Sequence, residues 1–292
     1  MSGTTPTISL NYMALSNLQT RIITGFVMGI ILIGGTLLSE YILCAIGLFV
    51  MFIGLYEFNK IQQKLSIKPN IAFVAITNLL VFGACIYFQL TEIFLGISKN
   101  DVFWFSVIML SCVFMLFISE LFRASEKPIE NIATSLLSIF YIGIPCGLLV
   151  TISIGNEGDY LPWNVLYLFF FIWASDTGAY FTGRALGRNK LFARISPNKT
   201  IEGFVGGLIA SALVGIAAHH FLGGISLISW MCIGAFVSIT STLGDLFESM
   251  LKRQSDIKDS GNILPGHGGI LDRFDSTLIS APIYWILLHV FI

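Results

Sequence analysis

Between residues 71 and 90 the chain reads IAFVAITNLLVFGACIYFQL, an unbroken apolar run without a single charge. At 1.5 Å of rise per residue, about 20 such residues cross the hydrocarbon core of a bilayer. No water is available there to satisfy backbone N–H and C=O groups, so a crossing segment of this kind must be helical. Similar runs recur along the chain. Bounded by charges and turn residues, they give nine candidate helices at about 22–38, 41–58, 71–90, 102–122, 132–154, 165–182, 204–222, 225–247 and 276–292. The start of the last one extends back to Leu271 if a full span is needed, and Pro145 is expected to kink the fifth.

Composition agrees. Charged residues make up 11% and hydrophobic residues 55%, against about 25% charged in a soluble domain. Mean hydropathy is +0.83. The formal net charge of -1 says little about partners, and no nucleic acid is expected among them. Cys44, Cys85, Cys112, Cys146 and Cys232 each lie inside an apolar run without metal or redox spacing, so no disulfide is expected.

Orientation follows from the basic residues. With the amino terminus inside, only Lys99 of the sixteen lysines and arginines falls on the outer side. The expected fold is therefore an all-α integral membrane protein of about nine transmembrane helices, amino terminus in and carboxyl terminus out. Residues 1–20 are expected to form a short, poorly ordered start, and a cleaved signal peptide is not expected. Residues 21–292 form a single polytopic domain whose chemistry lies at about 165–292.

Acids inside membrane helices are costly and usually functional. Asp176 and Asp245 sit near the inner ends of their helices, and Asp272 and Asp275 at the inner start of the last one. Four acids from three helices thus reach one depth. Asp272 and Asp275 are i and i+3 on one face, and so are Asp245 and Glu248. Carboxylates grouped this way can hold Mg²⁺. The bland alternatives are helix capping for Asp272 and Asp275, a basic partner for Asp245 and a buried hydrogen bond for Asp176.

Two basic loops flank these acids. GRALGRNKLFARISPNKTIEG begins at Gly183, and KRQSDIKD begins at Lys252. Glycines, Ser196, Thr200 and Ser249 are interleaved with the cations, a mixture suited to phosphate. No G-x-x-x-x-G-K-[ST] loop is present. The residues alone thus suggest a Mg²⁺-and-phosphate pocket at the inner face, where phosphoryl or nucleotidyl transfer needs mainly positioning and charge neutralisation.

The stretch SMLKRQSDIKDSGNILPGHGGILDRFD, Ser249 to Asp275, resembles the signature of the phosphatidate cytidylyltransferase (CDP-diacylglycerol synthase) family. It meets S-x-φ-K-R, four residues, K-D, then a spacer and L-P-x-H-G-G-φ-x-D-R-φ-D at every fixed position. SDTGAYFTGRALGR and ISPNKTIEG upstream resemble family segments too, although Asn198 stands where some members carry a second lysine.

The resemblance implies CTP + phosphatidate → CDP-diacylglycerol + diphosphate, with Mg²⁺, in the inner membrane of a bacterium with the active site facing the cytoplasm. It implies Asp245, Asp272 and Asp275 as metal ligands for one cation or two, one of them monovalent in the two-cation version. Lys199, Lys252, Arg253 and Lys258 would hold phosphates, joined by Arg273. Asp176 and Glu202 are assigned to metal, to a lysine partner or to cytosine recognition. Arg184, Ser196, Thr200, Ser249 and Asp259 complete the substrate-binding set. His267 is open between a structural role, a phosphate contact and proton transfer, the last scarcely needed by an anionic nucleophile. The resemblance also suggests a homodimer.

Two other functions compete. A CTP-dependent lipid kinase acting on a polyprenol-type alcohol would use the same parts with a hydroxyl nucleophile. A transporter is disfavoured, because no internal repeat is visible and the acids lie at one face rather than at midplane.

Overall fold

A computed structural model describes residues 17–95, 98–155, 157–264 and 268–291. The helices are α1 (Asn17–Leu38), α2 (Glu40–Lys64), α3 (Ile71–Leu95), α4 (Lys99–Leu121), α5 (Pro128–Ser138), α6 (Ile144–Thr151), α7 (Pro162–Leu186), α8 (Ile201–Leu222), α9 (Leu227–Gln254) and α10 (Leu271–Phe291). A π-helical turn, Ile139–Gly143, joins α5 to α6 into one rod. Among the described residues, seven rods are long and apolar enough to cross a membrane. The apolar part of α1, Ile23–Leu38, is shorter, and α7 is diluted by Asn164, Asp176, Thr177 and Arg184. The protein is a helical integral membrane protein.

Large apolar side chains cover its outside. Phe26, Phe114, Phe140, Leu213 and Phe221 are each more than half exposed. On a soluble monomer so much contiguous apolar surface would be an aggregation liability; here it is the lipid-facing surface.

Helix ends differ from the apolar runs in a consistent way. α2 continues to Lys64, α7 to Leu186 and α9 to Gln254, each beyond the end expected from hydropathy. Apolarity marks the part of a helix inside hydrocarbon. The helix itself continues wherever its buried face still packs, as at Glu248 and Leu251 of α9.

The π turn has a local cause. Pro145 lacks an N–H and its ring crowds the carbonyl four residues earlier, so the turn ahead of it widens. Ile144 N–H then donates to Ile139, five residues back. Within that turn Tyr141 packs edge-on against Phe247 of α9, ring centroids 4.9 Å apart.

The expectation of pure α-structure needs one correction. Residues 190–200 fold as an antiparallel hairpin, β1 (Lys190–Phe192) and β2 (Ser196–Thr200), paired Lys190 to Thr200 and Phe192 to Ser196. Outside the bilayer, water can satisfy the free strand edges, so a hairpin is permitted. Thr200 ends β2 and N-caps α8, its hydroxyl accepting from Gly203 N–H at 3.1 Å.

Close helix approach sets the frame of the second half. A Cβ at Gly178 of α7 would lie 2.5 Å from the Ala210 methyl and 2.8 Å from the Gly206 carbonyl oxygen of α8. This is the small-residue contact typical of membrane helices. A Cβ at Gly244 of α9 would lie 2.5 Å from the Asp275 carbonyl oxygen of α10. Gly244→Ala should therefore force α9 and α10 apart. A loss of about 1–3 kcal/mol is expected, read as a lower melting temperature in detergent, with activity falling in parallel. An unchanged melting temperature would contradict this approach.

Candidate active site where three cavities meet

Four elements deliver charged groups to one end of the bundle. α7 brings Asp176 and Arg184, and β2 brings Lys199 and Thr200. α9 brings Asp245, Glu248 and Lys252, and the first turn of α10 brings Asp272, Arg273 and Asp275. The spacing on α9 places Asp245, Glu248 and Lys252 along one helix face.

Carboxylate oxygens of Asp245, Glu248 and Asp275 all lie within 4.8 Å of one another. Glu248 and Asp275 are buried, at 1% and 8% exposure. Glu248 Oε2 accepts from Lys252 Nζ at 2.6 Å. Its Oε1 is buried with no hydrogen-bond partner among the described residues. Three carboxylates this close repel one another, and an orphaned buried oxygen among them is an unmet demand for positive charge. An all-oxygen donor set of this kind fits a hard divalent cation.

Asp272 is engaged differently. It accepts from Lys252 Nζ at 2.8 Å, from Ser260 N–H at 2.9 Å and from Gly269 N–H at 2.8 Å. Lys252 thus bridges Glu248 and Asp272, and Asp272 anchors the loop between α9 and α10. The sequence-based ligand set held Asp272 and lacked Glu248. The structure groups Glu248 with Asp245 and Asp275 and turns Asp272 towards Lys252 and two amides. The signal for Glu248 was already present in its i, i+3 relation to Asp245.

Three cavities converge on these acids. The first, about 500 Å³, is lined by Arg184, Lys199, Thr200, Asn198, Tyr180 and Asp245 among others. It presents cations and hydroxyls, and Lys199 ion-pairs with Asp245 at its floor. The second, about 300 Å³, holds Asp245, Glu248, Lys252, Asp259, Asp272 and Asp275. The third, about 340 Å³, runs between α1, α7 and α10 past Met28, Leu32, Phe169, Ile172 and Trp173 to Arg273 and Asp275. Asp176 lines all three, Asp245 the first two, and Arg273 and Asp275 the last two. The polar second cavity and the more apolar first and third cavities therefore share an acidic wall.

Other expected residues have other surroundings. Glu202 accepts from the Arg188 and Asn189 amides and from the Asn189 side chain at 2.7 Å, tying down the hairpin base. Ser196 sits in the hairpin opposite Phe192. Ser249, Arg253 and Lys258 line none of the three cavities. His267 lies outside the described residues.

One contributor had escaped notice. Glu57 of α2, 1% exposed, accepts from Leu271 N–H at 2.8 Å, Ile270 N–H at 3.1 Å and Ser260 Oγ at 3.2 Å. It caps the N-terminus of α10 from a distant helix, where a carboxylate also meets the positive end of the helix dipole. The sequence signal was an acid inside an apolar run, in GLYEF.

Residues 19–291 match the profile of the Cytidylyltransferase family. The chain belongs to that family. Phosphatidate cytidylyltransferase of Staphylococcus haemolyticus is 39% identical over 267 residues, 89% of this chain and 92% of that protein. The Bacillus subtilis protein of the same name is 41% identical over 198 residues, 67% of this chain and 70% of that one. A Staphylococcus aureus counterpart is 42% identical over 191 residues, covering 63% and 71%. Such a cytidylyltransferase must bring a water-soluble nucleotide to its acceptor, and here the polar second cavity and the more apolar third one meet at the same carboxylates.

Proposed function

We infer that this protein is a phosphatidate cytidylyltransferase, converting CTP and phosphatidate to CDP-diacylglycerol and diphosphate. Its relatives across most of the chain carry that name. The observation that carries the reading is the junction itself: Asp176 and Asp275 border the polar second cavity and the more apolar third cavity at once. Two substrates of opposite polarity have to meet, and this geometry provides the meeting point.

An oxygen of the phosphatidate phosphate attacks the α-phosphorus of CTP. The new P–O bond forms as the bond from the α-phosphorus to the bridging oxygen breaks, and diphosphate leaves with that electron pair. The attacking phosphate is already an anion, so no side chain has to remove a proton. Arg184, Lys199 and Thr200 bind and orient the triphosphate in the first cavity. Arg273 holds the phosphatidate headgroup while its tails lie against Leu32, Phe169 and Trp173 in the third. Lys252 fixes Glu248 and Asp272.

Asp245, Glu248 and Asp275 would hold Mg²⁺, with the orphaned Glu248 oxygen as the mark of the fit. When bound, the ion supplies neutralisation of charge on the phosphates. The basic loops lie at the site end, where Lys127 reaches the Leu65 carbonyl and Arg123 the Lys68 carbonyl. That distribution supports a site on the cytoplasmic face of a bacterial plasma membrane, amino terminus inside. Nine crossings follow if α1 and α7 also span.

The test uses purified protein in detergent with phosphatidate, Mg²⁺ and CTP labelled at either the α or the γ phosphorus. Label from the α position should enter lipid, and label from the γ position should leave as diphosphate. γ-Label arriving in lipid would replace this reading with the lipid kinase.

A further inference from the structure

A fourth cavity, about 390 Å³, shares no lining residue with the other three and opens between the second half of α2, the start of α3 and α5. Its walls are apolar, with Phe52, Leu55, Val74 and Ala75. Its inner end is polar, with Asn59, Thr134, Ser135 and Ser138. Asn59 is 9% exposed, and its side-chain oxygen is buried without a hydrogen-bond partner among the described residues. Lys60 and Tyr56 flank the opening, with Lys60 Nζ 4.5 Å from the centre of the Tyr56 ring. Among the described residues Lys60 forms no ion pair. Glu57, on the same turn of α2, touches the start of α10, so the cavity lies at the site end of the bilayer.

We propose that this cavity binds one anionic glycerophospholipid with a hydroxyl-bearing headgroup, separate from the reaction site. Exposed Phe52 and Ile71 place the opening among acyl chains. A lysine beside an aromatic ring at the bilayer edge is suited to a phosphodiester. The orphaned Asn59 oxygen is an acceptor and requires a donor. An ammonium headgroup would supply one, but Lys60 next to it repels a second cation. A neutral hydroxyl meets both demands. Phosphatidylglycerol is the simplest probe with this chemistry.

The experiment places the intact protein in nanodiscs containing phosphatidylglycerol with a photoreactive acyl chain and maps the labelled peptides. Labelling should concentrate on residues 52–63 and 71–75. Unlabelled phosphatidylglycerol should compete at least fivefold better than phosphatidylcholine or phosphatidate of the same chain length. Lys60→Ala should reduce labelling at these peptides at least fivefold. Asn59→Leu should erase the preference for phosphatidylglycerol while leaving the melting temperature intact. Labelling spread evenly over the lipid-facing helices would overturn the proposal. Equal competition by the other lipids, or labelling indifferent to both substitutions, would overturn it as well.

Discussion

Asp275→Asn should lower CTP-dependent formation of CDP-diacylglycerol on the order of 10²- to 10³-fold, the size of effect seen when one preorganised electrostatic group is removed. Asp275 is buried at 8% exposure, and its carboxylate lies among those of Asp245 and Glu248. The amide keeps the shape and deletes the charge. Without a cation, three neighbouring carboxylates repel one another, so the neutral variant should melt no lower than the parent in metal-free buffer. Added Mg²⁺ should raise the parent's melting temperature, because a ligand that binds only the folded state stabilises it. In Asp275→Asn that rise should shrink or vanish. Activity lost without any change in the Mg²⁺ response would remove Asp275 from the cation site and leave it a substrate contact. Full activity would remove it from the site altogether.

Glu57→Ala should have the largest effect on stability. The substitution strands the Ile270 and Leu271 amides and the Ser260 hydroxyl in a buried position. Each unsatisfied buried donor costs about 1–3 kcal/mol, so a loss on the order of 3 kcal/mol or more is expected, read as a lower melting temperature in detergent. The rate should fall as well, by about 10- to 100-fold, as for other groups that orient a ligand from behind. Glu57 holds the loop whose Gly269 and Ser260 amides hold Asp272. Glu57→Gln keeps one acceptor but turns an amine towards an amide donor, so it should fall between parent and alanine. A melting temperature equal to the parent's in both variants would show that the cap contributes nothing to the fold.

The site was legible in part, and the divide has a physical basis. Asp176, Asp245 and Asp275 stood out because charge at membrane depth is expensive and the hydropathy pattern sets depth, and Lys199 and Lys252 because they stand in basic stretches interleaved with glycines and hydroxyls. Their convergence at one end follows from spans alone. Partner choice does not. Asp272 and Glu248 are both i, i+3 neighbours of a metal-ligand candidate, and only the rotation of α10 against α9 decides which one joins Asp245 and Asp275. Ser196 read as a phosphate contact because it sits among cations, and Glu202 as a group for metal, a lysine partner or cytosine recognition. The hairpin that claims them forms from local pairing in a loop too short and polar for hydropathy to resolve.

The sequence by itself determined a chain that must live in a bilayer, the depth of its acids and its membership of a cytidylyltransferase family. Those properties depend on composition, run length and spacing along one chain, which are local quantities. Tertiary structure alone decided that Glu57, more than two hundred residues before Leu271, closes the start of α10. It alone placed Gly244 against the Asp275 carbonyl and set the polar second cavity beside the more apolar third one at Asp176. Each of these depends on how one rigid helix is rotated and seated against another. Small residues and a few buried hydrogen bonds set that seating, and hydropathy along the chain carries no record of it.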